Sequence, residues 1–338
     1  MKIDIHTHII PPDLPDYDEK FGYKGFLKLH HHTPGKALMV KEGKVFREIE
    51  SNCWDPAVRL LECDSHAVDV QVLSTIPVLF NYWAVAEDTL EVCRFLNDHV
   101  AETVRQQPKR FIGLGTLPLQ DTKLAIAELE RCMNELGLAG IEIGTHINDW
   151  NLDDENLFPV LEACQDLGAA VFVHPWDMRG TATIQKYWLP WLVAMPFETA
   201  IAISTLIFGG VLEKLPKLRI AFAHGGGSFG CLIGRIQHGF ECRPDLCHVN
   251  DIKDPKDYLG RFWVDSLVHE KDALKDLIRI YGEDKVILGS DYPFPLGEDV
   301  PGTLVESMAF GADLKARLLS GNALEWLQRP KATYLRAA

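Results

Sequence analysis

Lys2-Ile3-Asp4-Ile5-His6-Thr7-His8 alternates β-branched apolar residues with polar ones, and two of the polar positions are histidines one residue apart. Alternation with a period of two is a strand signature. Seven further β-branched apolar runs follow: Val70–Thr75, Phe111–Leu117, Gly140–Thr145, Ala170–His174, Arg219–His224, Phe262–Ser266 and Val286–Ser290. Amphipathic stretches separate most of them. From Asp121 to Gly137, for instance, Ala125, Leu129, Cys132, Met133 and Leu136 recur at helical spacing.

Strands alternating with helices build a parallel sheet, and eight such units are the number that closes a (β/α)₈ barrel. The expected fold class is therefore α/β, a TIM barrel. An open doubly wound sheet is the alternative, but the Gly-rich phosphate turn expected after its first strand is replaced here by His6-Thr7-His8. Two insertions distort the barrel: residues 11–55, loop-like with short strands around Ala37–Ile49, and residues 177–198, rich in Trp and Pro. Both leave the C-terminal end of a strand, the side on which barrel enzymes build their sites. Without a fixed-period repeat or a low-complexity run, residues 1–338 read as a single domain with a small insertion subdomain.

Apolar residues make up 47% of the chain and charged ones 24%, so disordered and fibrous classes are excluded. The 34 Lys and Arg against 48 Asp and Glu give a net charge of −14, which repels nucleic acid and anionic membrane surfaces unless a basic patch is concentrated somewhere. No such patch is visible, so neither is expected as a partner. The most apolar stretch, Thr199 to Leu212, lies between Glu198 and Glu213 and falls short of the roughly 20 residues of a spanning helix, so it reads as a buried helix. MKIDIHTHII has no secretory pattern, which makes the cytoplasm the expected location. Eight scattered cysteines in a long chain are expected to be reduced and mostly buried. Cys242, Cys247 and His248 lack a second Cys pair at zinc-cluster spacing, and His30-His31-His32 reads as solvated side chains in a polar loop.

His6 and His8 share one face of their strand and project together into the barrel mouth, while Thr7 faces the helices. Later strand ends carry matching groups: His174, His224 and Asp291. Burying several imidazoles and a carboxylate together without a cation leaves costly polar groups, so the constellation calls for a bound metal. These ligand types suit Zn²⁺, with Fe²⁺, Co²⁺ and Mn²⁺ as alternatives.

These residues, with Lys44–Arg47, Asn52–Pro56, Val173–Met178, Tyr187–Pro196, Phe222–Gly227 and Gly289–Gly297, resemble the amidohydrolase superfamily and, within it, the metal-dependent decarboxylases. The likeness spans nearly the whole chain. His-x-His marks only the superfamily, whereas His174-Pro175-Trp176-Asp177, Tyr187–Pro196 and Ser290–Pro295 point to the decarboxylases.

The resemblance implies a distorted barrel of the amidohydrolase type, with one Zn²⁺ per subunit held by His6, His8, His174 and Asp291. It assigns His224 as the acid–base group, with Asp291 shared between metal binding and catalysis. Binuclear relatives often use a carbamylated lysine at the end of the fourth strand. Gly140 to His174 contains no lysine, which supports a single metal, with Glu142 left as a group able to bridge two ions. The implied reaction is non-oxidative decarboxylation of a small unsaturated dicarboxylate with an aldehyde or enol end, and no organic cofactor is expected. Arg47 matches the family's carboxylate-binding arginine. Arg235 matches one supplied by the neighbouring subunit, which implies a homodimer, and Arg243 is a further candidate. Lys41, Trp188, Met195 and Phe294 are candidate pocket walls, although Trp188 and Met195 also fit a core. Rival readings are a hydrolase on the same barrel, an aromatic-acid decarboxylase, and a non-catalytic barrel that keeps metal for stability.

Overall fold

In the computed structural model, which describes residues 1–334, the eight runs form one eight-stranded sheet in chain order. The strands are Ile3–Ile9, Val70–Thr75, Phe111–Gly115, Gly140–Gly144, Ala170–His174, Arg219–Phe222, Trp263–Asp265 and Val286–Ile287, and every ladder between neighbours is parallel. The first strand also receives the end of the last. Ile5 N–H donates to Leu288 O at 2.9 Å and His8 N–H to Tyr292 O at 2.8 Å, which curls the sheet into a barrel.

Alternate strand residues, among them Ile3, Ile5, Val70, Val72, Ile112, Leu114, Phe172, Ala221 and Ile287, form one apolar cluster inside. Trp326 joins that cluster and donates from Nε1 to Arg219 O at 3.3 Å, at the start of the sixth strand. The N-terminal mouth is thereby plugged, and polar groups are left to the opposite end. The helices take the outer layer. Thr122–Asn134 begins at Asp121, whose side chain accepts from the N–H groups of Lys123 and Leu124, and it buries Ala125, Leu129 and Cys132 while Met133 is half-buried.

The sixth and eighth strands stop short of the expected His224 and Ser290. His224 (φ 55°) and Asp291 (φ 58°) adopt left-handed backbone and turn the chain off the sheet at the rim. The first insertion is more regular than its sequence suggests. Lys28–Thr33, Lys36–Lys41 and Lys44–Glu50 form an antiparallel sheet, so His30–His32 lie on an exposed strand and not in a loop. Its inner residues Ala37, Met39 and Ile49 pack with Ile10, Phe26 and Val78, which places Phe46 and Arg47 over the barrel mouth.

The second insertion is clamped at its base. The buried Glu198 carboxylate accepts from Arg179 N–H and Nη2, both at 2.9 Å. A π-helical turn at Pro190–Ala194 joins the flanking helices into one run, Lys186–Phe208. The run is 23 residues long and an 18-residue window within it has a mean hydropathy of 1.7, enough by length and composition alone to cross a bilayer, so the apolar helical run is longer than the span read from sequence. Its inner face, including Ala200, Ile203, Leu206 and Ile207, is buried in the core. All eight cysteines are free thiols, five of them buried.

Candidate active site

The barrel brings His6, His8, His174 and Asp291 together as strand-end parity requires, with one potential ligand atom of each within 4.8 Å of the others. Among the described residues no other group of three or more His, Cys, Asp or Glu is so placed. The three imidazoles are set by what lies behind them. His6 Nδ1 lies 2.7 Å from Asp265 Oδ2, His8 Nδ1 2.9 Å from Thr75 O, and His174 Nδ1 2.9 Å from Pro175 O. Each Nδ1 therefore donates, which leaves the Nε2 lone pair free. All three Nε2 atoms are buried without a hydrogen-bond partner. Asp291 Oδ1 lies 3.4 Å from His6 Nε2 and 3.2 Å from His8 Nε2, close enough to share an ion with them but misaligned for hydrogen bonds.

Electrostatics point the same way. Burial lowers the His8 pKa and takes His174 well below its ordinary value, helped at His174 by the neighbouring His6 and His224. Burial works against charge on Asp291 too, but His6 and the other facing imidazoles outweigh it and hold its carboxyl well below the usual range. At His6 burial is outweighed by Asp291 and Asp265, which raise it to about 10. A cluster that drives a buried imidazole to take up a proton is short of positive charge, and a divalent cation fits the orphaned donor set. Glu142 sits on the other side of His8, its Oε1 3.7 Å from Nδ1, and burial pushes its carboxyl well above the usual range, towards the neutral acid.

His224 stands beside this group. Its ring is 5.0 Å from that of His174 and its Nε2 3.8 Å from Asp291 Oδ2. Arg59, fully buried, braces the floor by donating to His8 O and to Gln71 and stacking 4.7 Å from the Tyr292 ring.

A cleft enclosing about 530 Å³, part of it open to solvent, reaches His8, His174 and Asp291. Phe46, Trp176, Trp188, Trp191, Met195 and Phe294 wall it, so Trp188, Met195 and Phe294 are where the sequence reading put them. Arg47 is the one Lys or Arg among the described lining residues. Its guanidinium stacks 4.7 Å above Phe294 and makes no hydrogen bond or ion pair among the described residues. Lys41 is displaced from that reading: it lines a neighbouring cavity across Trp176, 5.7 Å from the Trp83 ring. Arg243 pairs with Asp245 at 2.7 Å on the exposed surface and does not line the cleft. Arg235 is exposed and makes no hydrogen bond or ion pair among the described residues.

Sequence reasoning missed Trp176 and Trp191 as walls and Asp265 as the partner of His6. The signal for Asp265 was available: it ends the seventh strand at the rim where His174 ends the fifth.

The sequence profile of the family described as Amidohydrolase matches residues 3–329, and the chain belongs to that family. It is 57% identical over 99% of its length, and 94% of the relative's, to 2-amino-3-carboxymuconate-6-semialdehyde decarboxylase of Dictyostelium discoideum. The Caenorhabditis elegans protein of the same name is 38% identical over 96% of this chain and 94% of its own. Among solved structures, dihydroxybenzoic acid decarboxylase from Polaromonas, with bound manganese and 2-nitroresorcinol, superposes with a TM-score of 0.77, 23% identity and 99% of each chain covered, a likeness of fold. The close relatives are decarboxylases, and this chain is a lyase of that kind, which displaces the hydrolase reading.

Proposed function

We propose that the chain converts 2-amino-3-carboxymuconate 6-semialdehyde to 2-aminomuconate 6-semialdehyde and CO₂, using one Zn²⁺ per subunit and no organic cofactor. That reaction belongs to tryptophan degradation by the kynurenine route, where it limits quinolinate formation. The observation that carries this reading is an unpaired guanidinium, Arg47, at the lip of an aromatic-walled cleft whose floor is the His8, His174 and Asp291 cluster. The identity to the Dictyostelium relative supports the choice of substrate.

His6, His8, His174 and Asp291 would hold the ion, which supplies Lewis acidity towards negative charge on substrate oxygen. Arg47 grips a substrate carboxylate through paired charge-assisted hydrogen bonds. Phe46, Trp176, Trp191 and Phe294 cover the flat conjugated chain and exclude water. His224 holds the mobile proton at Nε2. Delivered to the carbon that bears the departing carboxylate, the proton breaks the conjugation. CO₂ then leaves, the electron pair of its C–C bond stays on the chain, and conjugation is restored.

The zinc-loaded protein is expected to release CO₂ as the substrate chromophore disappears, and to leave 2,6-dihydroxybenzoate intact. CO₂ from the benzoate alone would overturn the substrate in favour of the aromatic-acid reading. Arg47→Ala should raise KM by about 10- to 150-fold, the equivalent of roughly 1.5–3 kcal/mol for one side of a charged hydrogen-bonded pair. An unchanged KM would remove Arg47 from the site.

We further infer a homodimer in which Arg235 completes the neighbouring cleft. Its lack of a partner among the described residues supports this, as do the exposed apolar side chains Tyr187, Leu192, Val193 and Phe197. Mixing Arg47→Ala with Arg235→Ala chains should generate mixed dimers with one intact site and restore CO₂ release. A mixture as inactive as its parts overturns the shared site.

A further inference from the structure

Asp265 is fully buried at the end of the seventh strand. Its two oxygens meet four N–H groups. Oδ2 accepts from His6 Nδ1 at 2.7 Å and from the His224 backbone at 2.9 Å, while Oδ1 accepts from the Gly225 backbone at 2.8 Å and the Leu267 backbone at 3.1 Å. One carboxylate thus touches both a ring that offers its other nitrogen to the metal and the main chain that carries the acid–base imidazole.

The main chain it holds is one that needs holding. His224, Gly225, Gly226 and Gly227 have φ of 55°, 64°, 72° and 59°. For a residue with a Cβ, such as His224, that region is sterically strained. The neighbouring strand leaves room for the contact. A Cβ on Gly289 would lie 2.8 Å from Asp265 Cβ and 2.9 Å from His6 Cβ, so any larger residue there would drive the pair apart.

We propose that Asp265 is a positioning residue that couples the two halves of the site. By holding His6 Nδ1 as a donor it keeps Nε2 free for the metal, and by holding the His224–Gly225 backbone it fixes where the acid–base ring stands. The inference rests on the metal and His224 assignments above.

Four donors around two oxygens require a carboxylate. An asparagine has one oxygen, so whichever way its amide turns, two of the four N–H groups face an NH₂. With the NH₂ towards His6, the ring escapes the clash by carrying its proton on Nε2, and the ligand lone pair is lost.

Asp265→Asn should therefore bind Zn²⁺ about 10–100-fold more weakly in competition with a chelator, and at saturating Zn²⁺ its kcat should fall by about 10–100-fold with KM within about twofold. A residue that merely stabilises the fold would lower the unfolding midpoint alone. Zinc affinity and saturated kcat both equal to those of the unmutated protein overturn the proposal. Should the variant fail to fold, histidine nitrogen NMR on the unmutated zinc-loaded protein decides. A slowly exchanging proton on His6 Nδ1 is the expected result, and a proton on Nε2 overturns it. An unmutated protein that binds no zinc overturns the metal assignment and this inference together, whereas equal zinc binding and turnover in variant and parent overturn this inference alone.

Discussion

Replacing His224 with alanine is expected to leave metal affinity within about threefold of the parent and to lower turnover by roughly 10²–10⁴-fold, the usual contribution of a positioned acid–base group. The ring is set apart from the other three imidazoles by its hydrogen bonds. His6, His8 and His174 each commit Nδ1 to an acceptor, whereas His224 Nδ1 is buried without a partner. No acceptor behind it commits its Nδ1, so the ring is not locked in the orientation that offers Nε2 to an ion. Its side chain is 14% exposed against 0% and 1% for His6 and His8, which leaves a path to substrate. Asp265 holds residue 224 by its main-chain N–H, so the alanine variant keeps the loop where it is. Metal content of the purified variant, read beside CO₂ release, separates the cases. A variant that keeps metal and more than about a tenth of the parent turnover would remove His224 from the acid–base role.

Much of this site is legible before any coordinates, because strand parity does geometric work. Two histidines one residue apart must share a face, and parallel strands of one barrel must end at one rim, so His6, His8, His174, His224 and Asp291 converge from pattern alone. Arg47 was different: nothing in its local sequence separates it from a solvated arginine, and it entered through resemblance. Arg243 rests on the same resemblance, and in the fold it pairs with Asp245, two residues on.

The missed features have physical causes. Asp265 matters only because His6 Nδ1, 259 residues away in the chain, comes within 2.7 Å of it. The strand Lys28–Thr33 forms although His30–His32 carry no apolar alternation, because it is the outer strand of its sheet and is held by pairing to Lys36–Lys41. Pro190 opens the π turn that leads into Met195–Phe208, a position where its missing N–H has no partner to lose, and periodicity at 3.6 residues does not anticipate the turn.

His174→Ala should behave in the opposite way to His224→Ala: the metal goes, and turnover goes with it. His174 is 4% exposed, its ring lies 5.0 Å from that of His6 and 5.1 Å from that of His8, and its Nε2 is one of the three orphaned donors. Alanine removes one of the four proposed ligands and puts no donor in its place. The loss of affinity should exceed the roughly 10–100-fold typical of disturbing an outer partner, because here a ligand itself is deleted. Since an ion that binds only the folded chain stabilises it by RT ln(1 + [L]/Kd), a hundredfold loss removes up to about 2.7 kcal/mol of metal-dependent stability at a fixed free-ion concentration. The parent should therefore show an unfolding midpoint that climbs with added Zn²⁺, and His174→Ala a midpoint that stays flat over the same range. Retention of a full equivalent of metal after dialysis against chelator, or an unaltered climb of the midpoint, would take His174 out of the coordination shell. Read as a pair, the variants distinguish a site in which the ion and the proton carrier are separate devices from one in which all the imidazoles serve the ion: only the first allows metal to remain while turnover is lost.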